Sequence, residues 1–142
     1  MRISDIMTEG VISIGHDEPV TAAARLLKQH NIGALPVCDM VGNLRGILTD
    51  RDIVLRCIAP GYDAGSTQVS EVMTHGVVTA SPDDSVENAS KLMARDQIRR
   101  LPVTDNGKLV GIVALADLAR NAGCEMEAAD ALSEISENIK RK

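Results

Sequence analysis

The sequence has no phenylalanine, no tryptophan and a single tyrosine, Tyr62. Its core must therefore be aliphatic, and 44% apolar residues are enough to build one from Val, Ile, Leu, Met and Ala. The same lack removes the aromatic platforms on which RNA bases stack. Basic charge is short as well. Lys and Arg number 15 against 20 Asp and Glu, a formal net charge of −5, which disfavours the many phosphate contacts that nucleic-acid binding needs. No apolar run approaches the roughly 20 residues that span a membrane. The opening MRISDIMTEG lacks the apolar middle of a signal peptide. A cytoplasmic protein with neither a membrane nor a nucleic-acid partner is expected.

Cys38, Cys57 and Cys124 are too scattered for a CxxC motif. His16, His30 and His75 fall at no ligand spacing with Cys, Asp or Glu. Reduced, structural thiols and no metal site are expected. The phosphate-binding patterns GxxxxGK[ST] and GxGxxG are absent, as is any Ser–His or Cys–His constellation. These absences argue against an enzyme, and no catalytic residue is assigned.

What is present is a repeat. DIMTEGVISIGHDEPVTAAARLLKQHNIGALPVCD, from Asp5, aligns without a gap on EVMTHGVVTASPDDSVENASKLMARDQIRRLPVTD, from Glu71. One residue drops out in the next turn, after which GILTDRDI, from Gly46, aligns on GIVALADL, from Gly111. Self-similarity at fixed spacing precedes any reading of the fold. Two copies are too few for a solenoid and suggest half-domains packed about a pseudo-two-fold axis. About 60 residues make a marginal core, so neither half is expected to be stable alone.

Each copy reads β-α-β-β-α. VISI or VVTA is a short strand. A helix follows, capped by Asp17 or Glu18 with Pro19 in its first turn, and by Ser81-Pro82-Asp83-Asp84 in the second copy. Val20, Ala23, Ala24 and Leu27 fall on one helical face, as do Val86, Ala89 and Met93. Two strands come next, joined by Asn106-Gly107 in the second copy, a strong hairpin signal, and by the looser Met40-Val41-Gly42-Asn43 in the first. Second helices are expected near Asp50–Ile58 and Leu115–Asn121. Residues 1–59 are the first repeat, 60–68 the linker, 69–122 the second repeat and 123–142 a helical tail. Leu132, Ile135 and Ile139 would form one stripe of that tail, and Leu92 and Met93 would lie beside it on a face that supports a homodimer, the commonest closed assembly.

The doubled DIMT, LPV and G-h-h-T-x-x-D pattern resembles a tandem pair of CBS domains, a Bateman module of the stand-alone type with no attached enzyme or channel, over roughly residues 1–122. The resemblance implies an α/β (α+β) fold of β-α-β-β-α repeats packed through their sheets. It also implies adenosine nucleotides in the cleft between them and, often, dimers. The candidate ligands are AMP, ADP, ATP, NAD and S-adenosylmethionine, none of them an obligatory cofactor.

GILTDRDI has a chemistry that suits such a ligand. Thr49 or Asp50 would open a helix, where free N–H groups attract anions. The Thr49 hydroxyl can donate to phosphate, Arg51 adds positive charge, and Asp52 can accept from a ribose diol. A plainer reading is also open: Thr49 or Asp50 only caps the helix, and Asp52 is a solvated first-turn acid. The resemblance places Thr49, Arg51 and Asp52 opposite Thr74, Gly76, Val77 and Val78, with Ile98 over the base and Arg99 and Arg100 alongside. A second site would use Asp117 with Thr8, Gly10, Val11, Ile12, Ile32, Gly33 and Ala34. In some family members basic residues at the positions of Arg99 and Arg100 bind phosphate next to their own repeat's Asp. The plainer reading of this pair is a solvated strand edge. Ala114 and Ala116 replace Thr49 and Arg51 in the second copy, so the Asp52 site is expected to be the stronger, with both acids off the core. Tyr62, in the linker, is a weak candidate for stacking.

A regulatory module that binds adenosine nucleotides is the leading reading. A structural or partner-binding CBS pair with no physiological ligand, acting through an unidentified protein, is the alternative.

Overall fold

The computed structural model describes residues 1–121, 129 and 131–135. Cys124, Ile139 and the basic end of the expected tail helix lie outside the described residues. The chain forms two compact units, Ile12–Val77 and Met1–Val11 with Val78–Lys142. Each repeat's opening segment thus belongs to the unit built mainly from the other repeat.

In the unit Ile12–Val77, β1 (Ile14–Gly15) pairs in parallel with β2 (Ala34–Cys38), and β2 pairs antiparallel with β3 (Leu44–Thr49). The expected VISI strand is thus cut to two residues. Helix α1 (Val20–His30) buries Val20, Ala23 and Leu27 against this sheet's core, while Ala24 of the expected stripe is exposed. Its N-cap is Pro19 rather than Asp17 or Glu18, and proline offers no side-chain acceptor. Linker carbonyls substitute for one: Val20 N donates to Thr67 O at 2.9 Å and Thr21 N to Ala64 O at 3.2 Å. These bonds satisfy donors that every helix start leaves free, so the linker is an ordered part of the unit.

The second helix of this copy departs from expectation. Helix α2 (Asp50–Ile53) has four residues and continues as a π-helical segment, Val54–Ile58, closed by Ala59 N to Val54 O at 2.8 Å. Cys57 is fully buried, while Val54, Leu55 and Ile58 are about half exposed. Helix α3 (Val69–Val72) then leads to Thr74. Both described cysteines, Cys38 and Cys57, are buried free thiols. Burial, and then the charge of Asp39, raises the pKa of the Cys38 thiol.

In the other unit, α4 (Val86–Asp96) buries Val86, Ala89, Ser90 and Met93. Met93 is core and not a docking face, and Leu92 packs against the same core. The N-cap is Ser85, whose Oγ accepts from Asn88 N at 3.0 Å, instead of the stretch 81–84. Strands β4 (Arg100–Asp105) and β5 (Lys108–Ala114) form a hairpin on Asn106-Gly107, which adopt φ of 51° and 84° as the expected tight turn requires. The second copy's VVTA strand is reduced to one parallel bridge, Ala80 to Val103. Helix α5 (Leu115–Arg120) follows. From the C-terminal segment, Ala131 and Ile135 enter this core while Leu132 is exposed, so the expected tail stripe is replaced by an i, i+4 pair.

Each hairpin is closed on its outer edge by a threonine segment. Ile47 N donates to Thr74 O at 3.0 Å and Thr74 N to Ile47 O at 2.8 Å. Thr8 and Ile112 exchange the matching pair at 2.9 and 3.0 Å. The glycine beside each contact makes room. A side-chain carbon on Gly46 would lie 2.5 Å from Thr74 O, which is backbone. On Gly111 it would meet Met7 Sδ at 2.6 Å, the movable end of a side chain, with backbone no nearer than 3.1 Å. Gly46→Ala is therefore expected to cost about 1–3 kcal/mol by urea denaturation, the range for overpacking, and Gly111→Ala less. Equal losses would mean that backbone and side-chain neighbours yield alike.

Candidate functional site

The Ile47–Thr74 contact assembles the first group of candidate residues. Thr49 Oγ1 accepts from Asp52 N at 3.0 Å, and Asp52 Oδ2 accepts from Thr49 N at 3.0 Å, a reciprocal capping box. The Thr74 hydroxyl lies 3.3 Å from both Asp52 oxygens and donates to them. Arg56 Nη1 stands 3.8 Å from Asp52 Oδ1 and donates to the carbonyls of Val72 and Met73, each at 3.1 Å. Thr49 does cap the helix, as the plainer reading held, but Asp52 is no solvated acid: it is only 8% exposed. Arg51 is exposed, and its backbone N donates to Asp50 Oδ1 at 2.8 Å.

Asp117 occupies the equivalent place in the other unit and is 7% exposed. Its Oδ2 accepts from Ala114 N at 2.8 Å, and its Oδ1 is ion-paired with Arg120. Ala114 returns no side-chain bond, so half of the capping box is missing. Neither acid lies off the core, contrary to expectation. Arg56 and Arg120 were not among the expected site residues. Their spacing of i+4 and i+3 from Asp52 and Asp117 is the signal that would have found them.

The two units sort the remaining candidates. Ile32, Gly33, Ala34, Thr49, Arg51, Asp52, Thr74, Gly76 and Val77 share one unit with Ile12. Thr8, Gly10, Val11, Val78, Ile98, Arg99, Arg100 and Asp117 share the other. Ile98, Arg99 and Arg100 therefore share a unit with Asp117. Gly10 and Gly76 hold matching left-handed turns, φ 64° and 65°.

One backbone frame carries opposite chemistry in the two units. Asp50 N donates to Gly33 O at 3.0 Å, and Leu115 N donates to Arg99 O at 3.0 Å. Gly33, Ala34 and the Asp50 carboxylate in one unit thus correspond to Arg99, Arg100 and Leu115 in the other. A side-chain carbon on Gly33 would sit 3.6 Å from Asp50 Oδ2. Both arginines are exposed, yet they also line a cavity of about 510 Å³ together with Ala114, Ala116, Ala129 and Leu132. No acid lines it.

The chain belongs to the CBS domain family, whose model matches it twice, at residues 3–58 and 69–123. It is 51% identical over 134 residues to the CBS domain-containing protein YhcV of Bacillus subtilis, covering 94% of each chain. It is 40% identical over 117 residues to hypoxic response protein 1 of Mycobacterium tuberculosis, covering 82% of each. A crystal structure of hypoxic response protein I with two coordinated zinc ions superimposes with a TM-score of 0.79 at 39% identity, over 85% of this chain and 98% of that one. Among the described residues of this chain, no group of three or more His, Cys, Asp or Glu is placed to hold a metal ion. The CBS pair of protein MJ0100, in complex with 5′-methylthioadenosine and S-adenosylmethionine, superimposes with a TM-score of 0.73 at 32% identity, over 84% of this chain and 94% of that one. These neighbours share the mixed α+β fold of small sheets and helices. Among the described residues, no helix is long and apolar enough to cross a membrane.

The burial of Asp52 has a measurable cost if the carboxylate is removed. Asp52→Ala deprives the Thr49 amide and the Thr74 hydroxyl of their acceptor, and a buried donor left unsatisfied costs about 1–3 kcal/mol. A loss of that size is expected in ligand-free urea denaturation. An unchanged midpoint would show the carboxylate to be a surface group.

Proposed function

We propose that the chain is a non-catalytic regulatory module that binds adenosine-containing small molecules, with a phosphate-bearing nucleotide held by Arg99 and Arg100. The observation that carries this reading is the cavity of about 510 Å³ that Arg99 and Arg100 line and that, among the described residues, no acid lines. Its size lies within the roughly 300–1,000 Å³ of small-molecule sites. Guanidinium groups present forked donors that match phosphate oxygens two at a time. Asp117 lies in the same unit but is not among the residues that line this cavity; in this reading it is the acceptor for a ribose diol that extends beyond the lining, in exchange with its ion pair to the exposed Arg120. Thr8, Gly10, Val11 and Ile98 share this unit without lining the cavity; in this reading they supply backbone groups and aliphatic surface for the base, which has neither Phe nor Trp to stack on.

The other unit suits a different member of the same ligand class. Asp52, Thr49 and Thr74 gather a carboxylate and two hydroxyls, while Gly33 and Ala34 stand where the arginines stand and Asp50 lies close by. Repulsion from the acids works against a phosphate there. A nucleoside without phosphate fits that charge pattern, and the MJ0100 pair holds two such compounds. In place of one strong and one blanked site, this reading has two sites that divide the ligands by charge. The same reading takes the protein to be cytoplasmic and a homodimer. The half-exposed apolar side chains Val54, Leu55 and Ile58 support self-association.

Calorimetry with AMP, ADP, ATP, NAD, S-adenosylmethionine and 5′-methylthioadenosine tests the reading. A charge-assisted hydrogen bond contributes about 1.5–3 kcal/mol, and 1.4 kcal/mol is a factor of ten. Replacing Arg99 and Arg100 together by Ala should therefore weaken AMP or ATP by roughly tenfold or more and leave 5′-methylthioadenosine unaffected. Asp52→Ala should do the reverse. No heat with any of the six compounds would sink the proposal and leave the structural or partner-binding CBS pair standing.

A further inference from the structure

The cavity that carries Arg99 and Arg100 is walled in part by the C-terminal segment, and this wall has two faces. Ala131 and Ile135 are 2% and 3% exposed and belong to the same core as Met93 and Leu118. Ala129 and Leu132 line the cavity. Residues three or four apart share a helical face. The pair four apart therefore faces the core, and the pair three apart forms an adjacent stripe towards the cavity. Leu132 remains 43% exposed, which leaves apolar surface for a ligand to cover. The cavity keeps its volume with the segment docked, so the segment walls the site without plugging it.

We propose that this segment is both a component of the nucleotide site and its ligand-responsive output. A nucleotide held by Arg99 and Arg100 covers Leu132 and Ala129, and by doing so it fastens the segment to the unit. The inference rests on the nucleotide-binding reading above and adds to it the element that moves. Its logic is linkage. If the docked segment raises affinity by some factor, the bound nucleotide favours docking by the same factor. Among the described residues, two side chains anchor the segment in the core.

The full chain, titrated with AMP and ATP by calorimetry and followed by hydrogen exchange over residues 131–135, tests this. Bound nucleotide should slow exchange there. Leu132→Ala should weaken binding roughly three- to tenfold, a fraction of a buried leucine's worth, without lowering the ligand-free melting temperature. Ile135→Ala, which loosens the anchor, should speed ligand-free exchange and weaken binding as well. Wild-type affinity in both variants, together with exchange that nucleotide leaves unchanged, overturns the inference and spares the nucleotide-binding reading. No binding of either nucleotide by the unaltered chain overturns both.

Discussion

Two backbone hydrogen bonds, Ile47 N to Thr74 O and Thr74 N to Ile47 O, hold the Asp52 cluster in place. They bring Thr74 to the edge of β3 and so place its hydroxyl on the Asp52 carboxylate. They depend in turn on the missing side chain at Gly46, since any Cβ there would collide with the Thr74 carbonyl. Arg56 adds a second tie by donating to the two carbonyls just before Thr74. The Thr8–Ile112 pair repeats the arrangement beside Gly111. Strand edge, threonine and buried acid are thus one mechanical unit, made twice.

The helix starts obey a related constraint. Proline 19 cannot cap α1 with its side chain, so the linker's carbonyls receive the free amides. At α4 the capping is shared between Ser85 Oγ and the carbonyl of Met1, which accepts from Val86 N at 3.1 Å. In both units, chain distant in sequence completes a helix that local residues leave unfinished. Buried polar groups must find partners, and these segments supply them.

This separates what was legible in the sequence from what was not. Hairpin β4–β5 was readable because Asn106-Gly107 is a local signal with one geometric solution. The stripes of α1 and α4 were readable because burial follows the helical period, and only Ala24 strayed. The short first strands were not, since β-rich composition does not say how many partners a strand will find. The π-helical turn after Ile53 leaves no mark that periodicity detects. The burial of Asp52 and Asp117 was hidden for another reason. A carboxylate in a first turn looks solvated until the distant threonine and the nearby arginine that satisfy it are known. The grouping of Arg99 and Arg100 with Asp117 was legible, since all three belong to the second repeat, whereas the repeat boundaries conceal that Thr8 and Thr74 each join the unit built mainly from the other repeat.

That exchange bears on how such a chain could have arisen. A lone repeat would own a hairpin edge and a threonine segment but could not bring the two together, because each hairpin here is closed by the other repeat's segment. Two separate single-repeat chains could complete one another with the same bonds. Joining them end to end would keep these bonds. It would only raise the local concentration of one half around the other, from that of a dilute solution to the millimolar range of a short tether. The tandem array is thus equivalent to two self-completing repeats made intramolecular. Its two copies differ at matching positions, Gly33, Ala34, Thr49 and Asp50 in one standing against Arg99, Arg100, Ala114 and Leu115 in the other.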